Sequence, residues 1–468
     1  MSEATVPRPL AVIILAAGLG KRMRSSFPKV LHRLNGKPLL SYPLAAAQGR
    51  DPAHIVVVVG HGAEQVKAVC GGAGILWAYQ EDQLGTGHAV RCAQQRLESF
   101  SGDLLILSGD VPLVMAATLA DILRRHRKQD AVLSVLTADL QAPTGYGRIV
   151  RDSAGNLRGI VEERDATEAE RAIREINAGV YVAASEFLFS ALAEITNDND
   201  QKEYYLPDMV KIALAKGERV ATVRIADENE IRGINTREEL AMMERLLQDR
   251  INRKWMAAGV TLKDPQTTYI EDEVVIGKDT FIGPNTHLLG RTVIGERCRM
   301  DGNAYLTNAR LGDEVHLRFG VVITDSVLEE RAEVGPFSHL RPGTHLKASV
   351  HIGNFVEVKN SVIGMGTKAS HLTYIGDASI GSEANIGAGT ITCNYDGFDK
   401  YRTKIGDRVQ VGSDTQLVAP VTVGDDAYIG SGTTITQDVP AGALALSRTP
   451  QKNIPGWVER FRDKRKRK

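Results

Sequence analysis

The chain has 468 residues, enough for two or more independent cores, and 43% of them are hydrophobic, as in ordinary soluble globular proteins. Lys+Arg and Asp+Glu stand at 57 each, so no net charge recruits nucleic acid, and no apolar run approaches the roughly 20 residues of a membrane span. Four scattered cysteines (Cys70, Cys92, Cys298, Cys393) fit neither a disulfide framework nor a zinc site and suit a reducing cytoplasm.

Short apolar strands are predicted at residues 10–16, 54–59, 75–79, 103–107 and 131–136, with helical stretches between them. This alternation, up to about residue 232, predicts parallel βαβ units under a covered sheet. The N-terminus lacks the charged-then-apolar layout of a signal peptide, and Leu10 to Ala17 reads better as a buried strand. It runs into Leu15-Ala16-Ala17-Gly18-Leu19-Gly20-Lys21-Arg22-Met23. Glycines there let backbone N–H groups approach phosphate oxygens, and Lys21 and Arg22 add positive charge. The loop departs from a dinucleotide fingerprint, since Met23 stands where a third glycine belongs and no acidic partner follows near the usual ribose position. A Gly-Lys-Ser/Thr phosphate loop is absent, which argues against a Walker-type NTPase.

Further motifs follow in order: Pro28-Lys29-Val30-Leu31, Gly36-Lys37-Pro38-Leu39, Gln80, Gln83-Leu84-Gly85-Thr86-Gly87-His88-Ala89 and Ser108-Gly109-Asp110-Val111-Pro112. Pro143-Thr144-Gly145-Tyr146-Gly147-Arg148, Val161-Glu162, Glu175-Ile176-Asn177-Ala178-Gly179 and Gly233-Ile234-Asn235 complete the series. The series resembles the sugar-1-phosphate nucleotidyltransferase family over nearly the whole first domain. Nucleotidyl transfer moves charge across phosphate oxygens, so it needs cations and positioning more than covalent catalysis. Asp110 closes a strand, where a carboxylate can hold Mg²⁺. The resemblance implies that Asp110 and Asn235 are the metal ligands, and that Arg22 and Lys29 grip the triphosphate and the attacking sugar phosphate. It assigns Leu15, Ala16, Ala17, Gly18, Gln80, Gly85 and Thr86 to uracil and ribose. Ser108 and Gly109 flank Asp110 in the same site, and Gly145, Glu162 and Asn177 would hold the amino sugar.

Residues 236–258 are predicted to form one helix, with Thr236 as N-cap, Glu238 and Glu239 in the first turn, and Leu240, Met243, Leu246, Leu247, Ile251 and Trp255 at helical spacing. Gly259 should stop it. The chain thus reads as a domain over 1–234, a helical linker over 235–258 and a second domain over 259–468. In the second domain aliphatic residues recur every six positions: Ile276, Ile282, Leu288, Ile294; then Val334, Leu340, Leu346, Ile352, Val358; then Ile405, Val411, Leu417, Val423, Ile429, Ile435. A six-residue period suits stacked coils whose short strands end at sharp corners, a parallel β-helix. The register slips near Ile363 and Ile380, and residues 393–403 read as a loop thrown out of the coil. The basic tail 461–468 reads as a solvated, disordered end.

The repeats carry Leu340-Arg341-Pro342-Gly343, Gly353-Asn354-Phe355-Val356-Glu357-Val358-Lys359, and His371-Leu372-Thr373-Tyr374-Ile375-Gly376-Asp377. Asn385-Ile386-Gly387-Ala388-Gly389-Thr390, Cys393-Asn394-Tyr395-Asp396-Gly397, Gly412-Ser413-Asp414-Thr415-Gln416 and Leu446-Ser447-Arg448 follow. With the first half, these resemble the bifunctional bacterial N-acetylglucosamine-1-phosphate uridyltransferase/glucosamine-1-phosphate acetyltransferase family over almost the full chain. The fold this implies is a Rossmann-like α/β domain with a mixed sheet, then a left-handed parallel β-helix. Acetyl transfer needs a neutral amine, and a histidine near its ordinary pKa is a suitable general base. The resemblance gives that role to His371. Arg341 and Lys359 would grip the sugar phosphate, with Tyr374 and Asn385 orienting the sugar. Ala388, Asn394, Tyr395, Ser413, Ser431 and Arg448 would bind acetyl-CoA, with Lys400 placed to assist. The implied enzyme is a cytoplasmic homotrimer that acetylates glucosamine 1-phosphate. It then joins N-acetylglucosamine 1-phosphate to UMP from UTP, supplying cell-wall and lipopolysaccharide precursors. Three positions depart from relatives: Lys21 stands where many have Thr, Pro207 where a hydroxyl residue is common, and Ser431 where some have Ala.

Overall fold

A computed structural model describes residues 8–466. The chain divides into two compact units, Met1–Leu247 and Gln248–Lys468. Among the described residues no helix is long and apolar enough to cross a membrane.

The first unit is built on one sheet with strand order Val220–Arg224, Leu133–Asp139, Glu175–Ala184, Asp103–Ser108, Leu10–Ala16, His54–Val59, Ile75–Tyr79. Its strands read as unbroken apolar runs because both faces are covered. Val12 and Ile14 enter one core with Val57 and Leu105, while Ala11 and Ile13 enter the other with Val56 and Ile106. The parallel expectation holds for most of this sheet, but Glu175–Ala184 runs antiparallel to both neighbours. A hairpin of Arg148–Arg151 and Leu157–Val161 joins it through Ile176. The strand foreseen at 131–136 spans Leu133–Asp139 instead. Its start is delayed because the Ala131 N–H turns back to the carbonyl of His126 at the end of the preceding helix.

The helix Arg237–Ala257 crosses the division between the units and stops before Gly259. Thr236 caps it: the Thr236 hydroxyl accepts from the Glu239 N–H (3.1 Å), and the Glu239 carboxylate accepts from the Thr236 N–H (2.9 Å). In the first unit the Glu244 carboxylate accepts from the Asn35 N–H. In the second, the buried Asn252 amide donates to the carbonyls of Pro265 (2.7 Å) and Thr268 (3.0 Å).

The second unit is a three-faced parallel coil, with sheets of 11, 10 and 9 strands. The six-residue aliphatic series all point inward and are buried. Inward-facing threonines such as Thr292 and Thr344 bond nearby carbonyls, so their hydroxyls are satisfied within the coil. Corners recur at residues in left-handed backbone conformation, among them Asn303, Asn308, Phe337, Phe355, Leu372 and Asp414. Coil length explains the register slips. Ile276 faces Ile294, but Leu346 faces Ile363, which faces Ile380, so these later coils are one residue shorter. Ile380 then faces Ile405 across the expelled loop, where Tyr395 bridges to Lys400. The tail is not disordered through its described part: Trp457–Lys466 is an exposed helix, with Trp457 stacked on Phe461 one turn on (4.9 Å). Residues 467 and 468 of that tail lie outside the described residues.

Candidate active sites

In the first unit the helices flanking the strand Leu10–Ala16 cover opposite faces of the sheet: Leu44 and Ala47 join one core, Ala89 and Val90 the other. The strand ends between them open a crevice, the usual ligand position in such sheets. Two cavities lie there. One of about 310 Å³ is lined by Leu15, Ala16, Ala17, Gly18, Lys29, Gln80, Gly85, Thr86, Ser108 and Asp110. The other, of about 240 Å³, is lined by Arg22, Ser108, Asp110, Gly145, Asn177 and Asn235. They share Ser108 and Asp110. Gly109 ties the two strand ends together, its N–H donating to the Leu15 carbonyl (2.8 Å).

Local structure aims these side chains. The Gln80 amide donates to the Gly85 carbonyl (3.0 Å) and faces the His88 ring (3.2 Å). The Thr86 hydroxyl accepts from the Leu206 N–H. A bulge between Asn177 and Tyr181 breaks the ladder of Glu175–Ala184 and turns Asn177 toward the smaller cavity. Asn177 is pinned there by Tyr181 (2.6 Å) and by the Gly179 N–H (3.1 Å). Glu162 lines neither cavity; it lies beside Gly147. Burial, with the nearby Asp165 and Asp208 carboxylates, pushes its carboxyl up to about 7.

The Lys29 ammonium donates to the Asp110 carboxylate and to the Asn235 amide oxygen (2.7 Å). Lys29 is buried, and its stem packs where a side chain on Gly20 would collide with it. Gly20 also has φ +60°, so this loop position suits glycine on both counts. Asn235 is fixed by the Ile234 N–H donating to the Asp110 carbonyl (3.0 Å) and by its own N–H donating to Glu239. Two hard oxygen donors thus converge on one cation, a donor set that fits Mg²⁺.

In the second unit one corner edge of the coil collects a column of residues, each just before a left-handed corner in successive coils. These are Asn354, His371, Ala388, Ser413 and Ser431, preceding Phe355, Leu372, Gly389, Asp414 and Gly432. The coils are stitched along that edge by N–H donation from Leu372 to Asn354, Gly389 to Leu372, Asp414 to Ala388 and Gly432 to Ser413. The exposed His371 ring has Nδ1 2.8 Å from the Asn354 amide oxygen. That acceptor fixes the proton on Nδ1 and leaves Nε2 as the basic nitrogen. Arg448 reaches back to the Ser431 carbonyl (2.8 Å).

The ten-stranded face beside this edge carries Lys359 and Tyr374, with Arg341 just beyond its strand end. Arg341 pairs with Glu357 (2.7 Å), and Lys359 approaches Asp377 (3.9 Å). Tyr374 folds its hydroxyl over Gly376, a space a larger residue would fill. Burial alone would raise the Asp377 carboxyl, but amide donors from Asn360 and Asn394, with Lys359 and Lys400 near, hold it below the usual carboxylate range. Asn385 lies on the eleven-stranded face of the same edge, and Tyr395 stands exposed on the expelled loop.

Residues 12–206 match the MobA-like NTP transferase domain, and residues 273–308 and 402–437 match the bacterial transferase hexapeptide repeat. A bifunctional protein GlmU from Pelobacter propionicus is 53% identical, covering 97% of this chain and 99% of its own. Proteins of the same name from Trichlorobacter lovleyi and Geobacter sulfurreducens are 52% and 49% identical, with the same coverage. The chain belongs to the GlmU family. It is a bifunctional enzyme of UDP-N-acetylglucosamine synthesis, a nucleotidyltransferase joined to an acetyltransferase.

Some residues with a part in these GlmU-type sites have no role in the sequence reading. Asn354 orients His371, and its only sequence signal is its place in the Gly353–Lys359 motif. Tyr146 lines the smaller cavity, with its hydroxyl on the Gly233 backbone and its pKa raised by burial. Asp377 anchors Asn394. Glu239 is legible as a first-turn acid, but its hold on the Asn235 backbone is not.

Proposed function

We propose that the two reactions are divided between the units, each with its own site. In the first unit, the 310 Å³ cavity takes the uridine and triphosphate, and the 240 Å³ cavity takes N-acetylglucosamine 1-phosphate. The sugar-phosphate oxygen meets the α-phosphorus where the two cavities join, at Asp110. Bonding there expels pyrophosphate, and Arg22 and Lys29 hold the phosphates in line. Asp110 and Asn235 hold Mg²⁺, which when bound supplies charge neutralisation at the phosphate oxygens. Gly145 and Asn177 seat the amino sugar, and Glu162 backs that wall from beside Gly147 without lining the cavity.

In the second unit His371 Nε2 accepts the proton of the glucosamine 1-phosphate amine as that nitrogen attacks the thioester carbonyl, and the coenzyme A thiolate leaves. Arg341 and Lys359 bind the sugar phosphate. The edge column Ala388, Ser413, Ser431, with Arg448, Asn394 and Tyr395, carries acetyl-CoA. Lys359 and Tyr374 leave the edge on one face and Asn385 on the other, so a closed site takes residues of a neighbouring copy. The exposed ladder Phe319, Phe337, Phe355, its first pair edge-on at 5.7 Å and its second stacked at 5.6 Å, lies beside Asn354 and is apolar surface suited to that contact. The assembly we propose is a cytoplasmic homotrimer, and the product feeds cell-wall and lipopolysaccharide synthesis.

What carries this reading is the sharing of Asp110 by two cavities whose linings divide into a nucleotide set and a sugar set. The test supplies purified protein with glucosamine 1-phosphate, acetyl-CoA, UTP and Mg²⁺. Free thiol and pyrophosphate should both appear, and chelation of Mg²⁺ should stop only the pyrophosphate. Thiol release that also needs Mg²⁺ would contradict the division.

A further inference from the structure

We propose that the Lys29 ammonium is a resident counter-ion that holds the metal site assembled before nucleotide arrives, and that it is displaced when metal and nucleotide enter together. The proposal rests on the reading of Asp110 and Asn235 as the metal-holding pair. Both oxygens of that pair point at one atom, Lys29 Nζ, across 81 and 206 positions of sequence. Lys29 is 9% exposed, so little water competes for its hydrogens. An ammonium and a divalent cation cannot share the same two oxygens at contact distance, because like charges repel there.

The pair is also a poor metal site by itself. It offers one carboxylate and one amide, and no group of three or more His, Cys, Asp or Glu among the described residues could hold a metal. Mg²⁺ binds such sparse sites with substrate phosphates completing its shell. Metal alone must therefore displace an ammonium already hydrogen-bonded to both donors. A triphosphate changes the balance twice: it adds metal ligands, and it gives Lys29 a new anionic acceptor. The backbone of Lys29 is held in a tight turn, Lys29–Leu31, but its four-carbon stem lets Nζ swing from Asp110 to a phosphate oxygen. Nucleotide and metal then load as a unit, and Lys29 moves from placeholder to phosphate ligand in the same event.

The sign of a substitution distinguishes this from an ordinary binding role. Mn²⁺ binding is followed by electron paramagnetic resonance on the full chain, with and without a non-hydrolysable UTP analogue. Without nucleotide, Lys29→Met should tighten Mn²⁺ binding by about tenfold; with the analogue, the same variant should bind Mn²⁺ more weakly than wild type. Lys29→Gln removes the charge but keeps a donor, and should reverse in the same way if the methionine disturbs packing. Arg22→Met removes a cation of the adjoining cavity and should change nucleotide-free affinity far less. The proposal is overturned if both Lys29 variants leave nucleotide-free affinity unchanged or lower while Asp110→Asn abolishes it. If Asp110→Asn itself has no effect on Mn²⁺ binding, the metal-site reading falls, and the proposal with it.

Discussion

Burial beside Asp165 and Asp208 gives Glu162 a consequence that can be measured in solution. Its folded pKa of about 7 lies above the ordinary 4.5, so between those values the folded chain binds more protons than the unfolded one. Stability is then greatest below pH 4.5 as far as this group is concerned, and declines as pH rises through 7, by roughly 3 kcal/mol in all. Glu162→Gln should remove that decline, which urea unfolding at pH 5 and pH 8 would reveal; an unchanged slope would show that Glu162 is not the group responsible. In the other unit, Asn354 determines which nitrogen of His371 is basic. Asn354→Ala should lower kcat for acetyl transfer, by less than the roughly 10²–10⁴-fold that loss of a general base costs. A normal kcat would remove Asn354 from the mechanism.

At the scale of elements, the capping box joins stability to the site. Glu239 accepts from the N–H groups of both Asn235 and Thr236, so the helix start and the amide that faces Lys29 are held by one carboxylate. Thr236→Ala should cost about 1 kcal/mol. Glu239→Ala should in addition weaken Mn²⁺ binding in the presence of nucleotide; equal metal affinity in both variants would separate cap from site. In the coil, a methyl on Gly353 would run into the Ser370 carbonyl of the next turn. Gly353→Ala should therefore displace Asn354 from His371 and reduce acetyl transfer along with stability. Much of this architecture is legible beforehand because it is periodic. The runs Leu10–Ala16 and His54–Val59 are apolar throughout because each residue has a core to enter, and the six-residue ladder follows from one inward side chain per face. What resists reading is non-periodic or distant. The antiparallel strand Glu175–Ala184 is disguised by the bulge at Asn177, and it inserts between strands far away in sequence. Motif order brings Lys29, Asp110 and Asn235 onto one list, but only folding brings them onto one atom. The residues of the edge column occur in five different coils, and their alignment depends on coil lengths that the shortened turns and expelled loop alter.

For the whole molecule, the proposed acetyl site is the one that would depend on assembly. Phe337 and Phe355 are about half exposed in a single copy and sit in left-handed backbone, a costly conformation for aromatic residues. Replacing both by Asp should dissociate the proposed trimer in light scattering and abolish acetyl transfer, while uridylyl transfer persists. A variant that stays trimeric would place the contact elsewhere. The division of labour between the units is tested most directly by assaying both activities on the same preparations of His371→Ala and Asp110→Ala. His371→Ala should release no coenzyme A yet keep full uridylyl transfer, and Asp110→Ala should do the reverse. Loss of both activities in either folded variant, or coenzyme A release without His371, would contradict it.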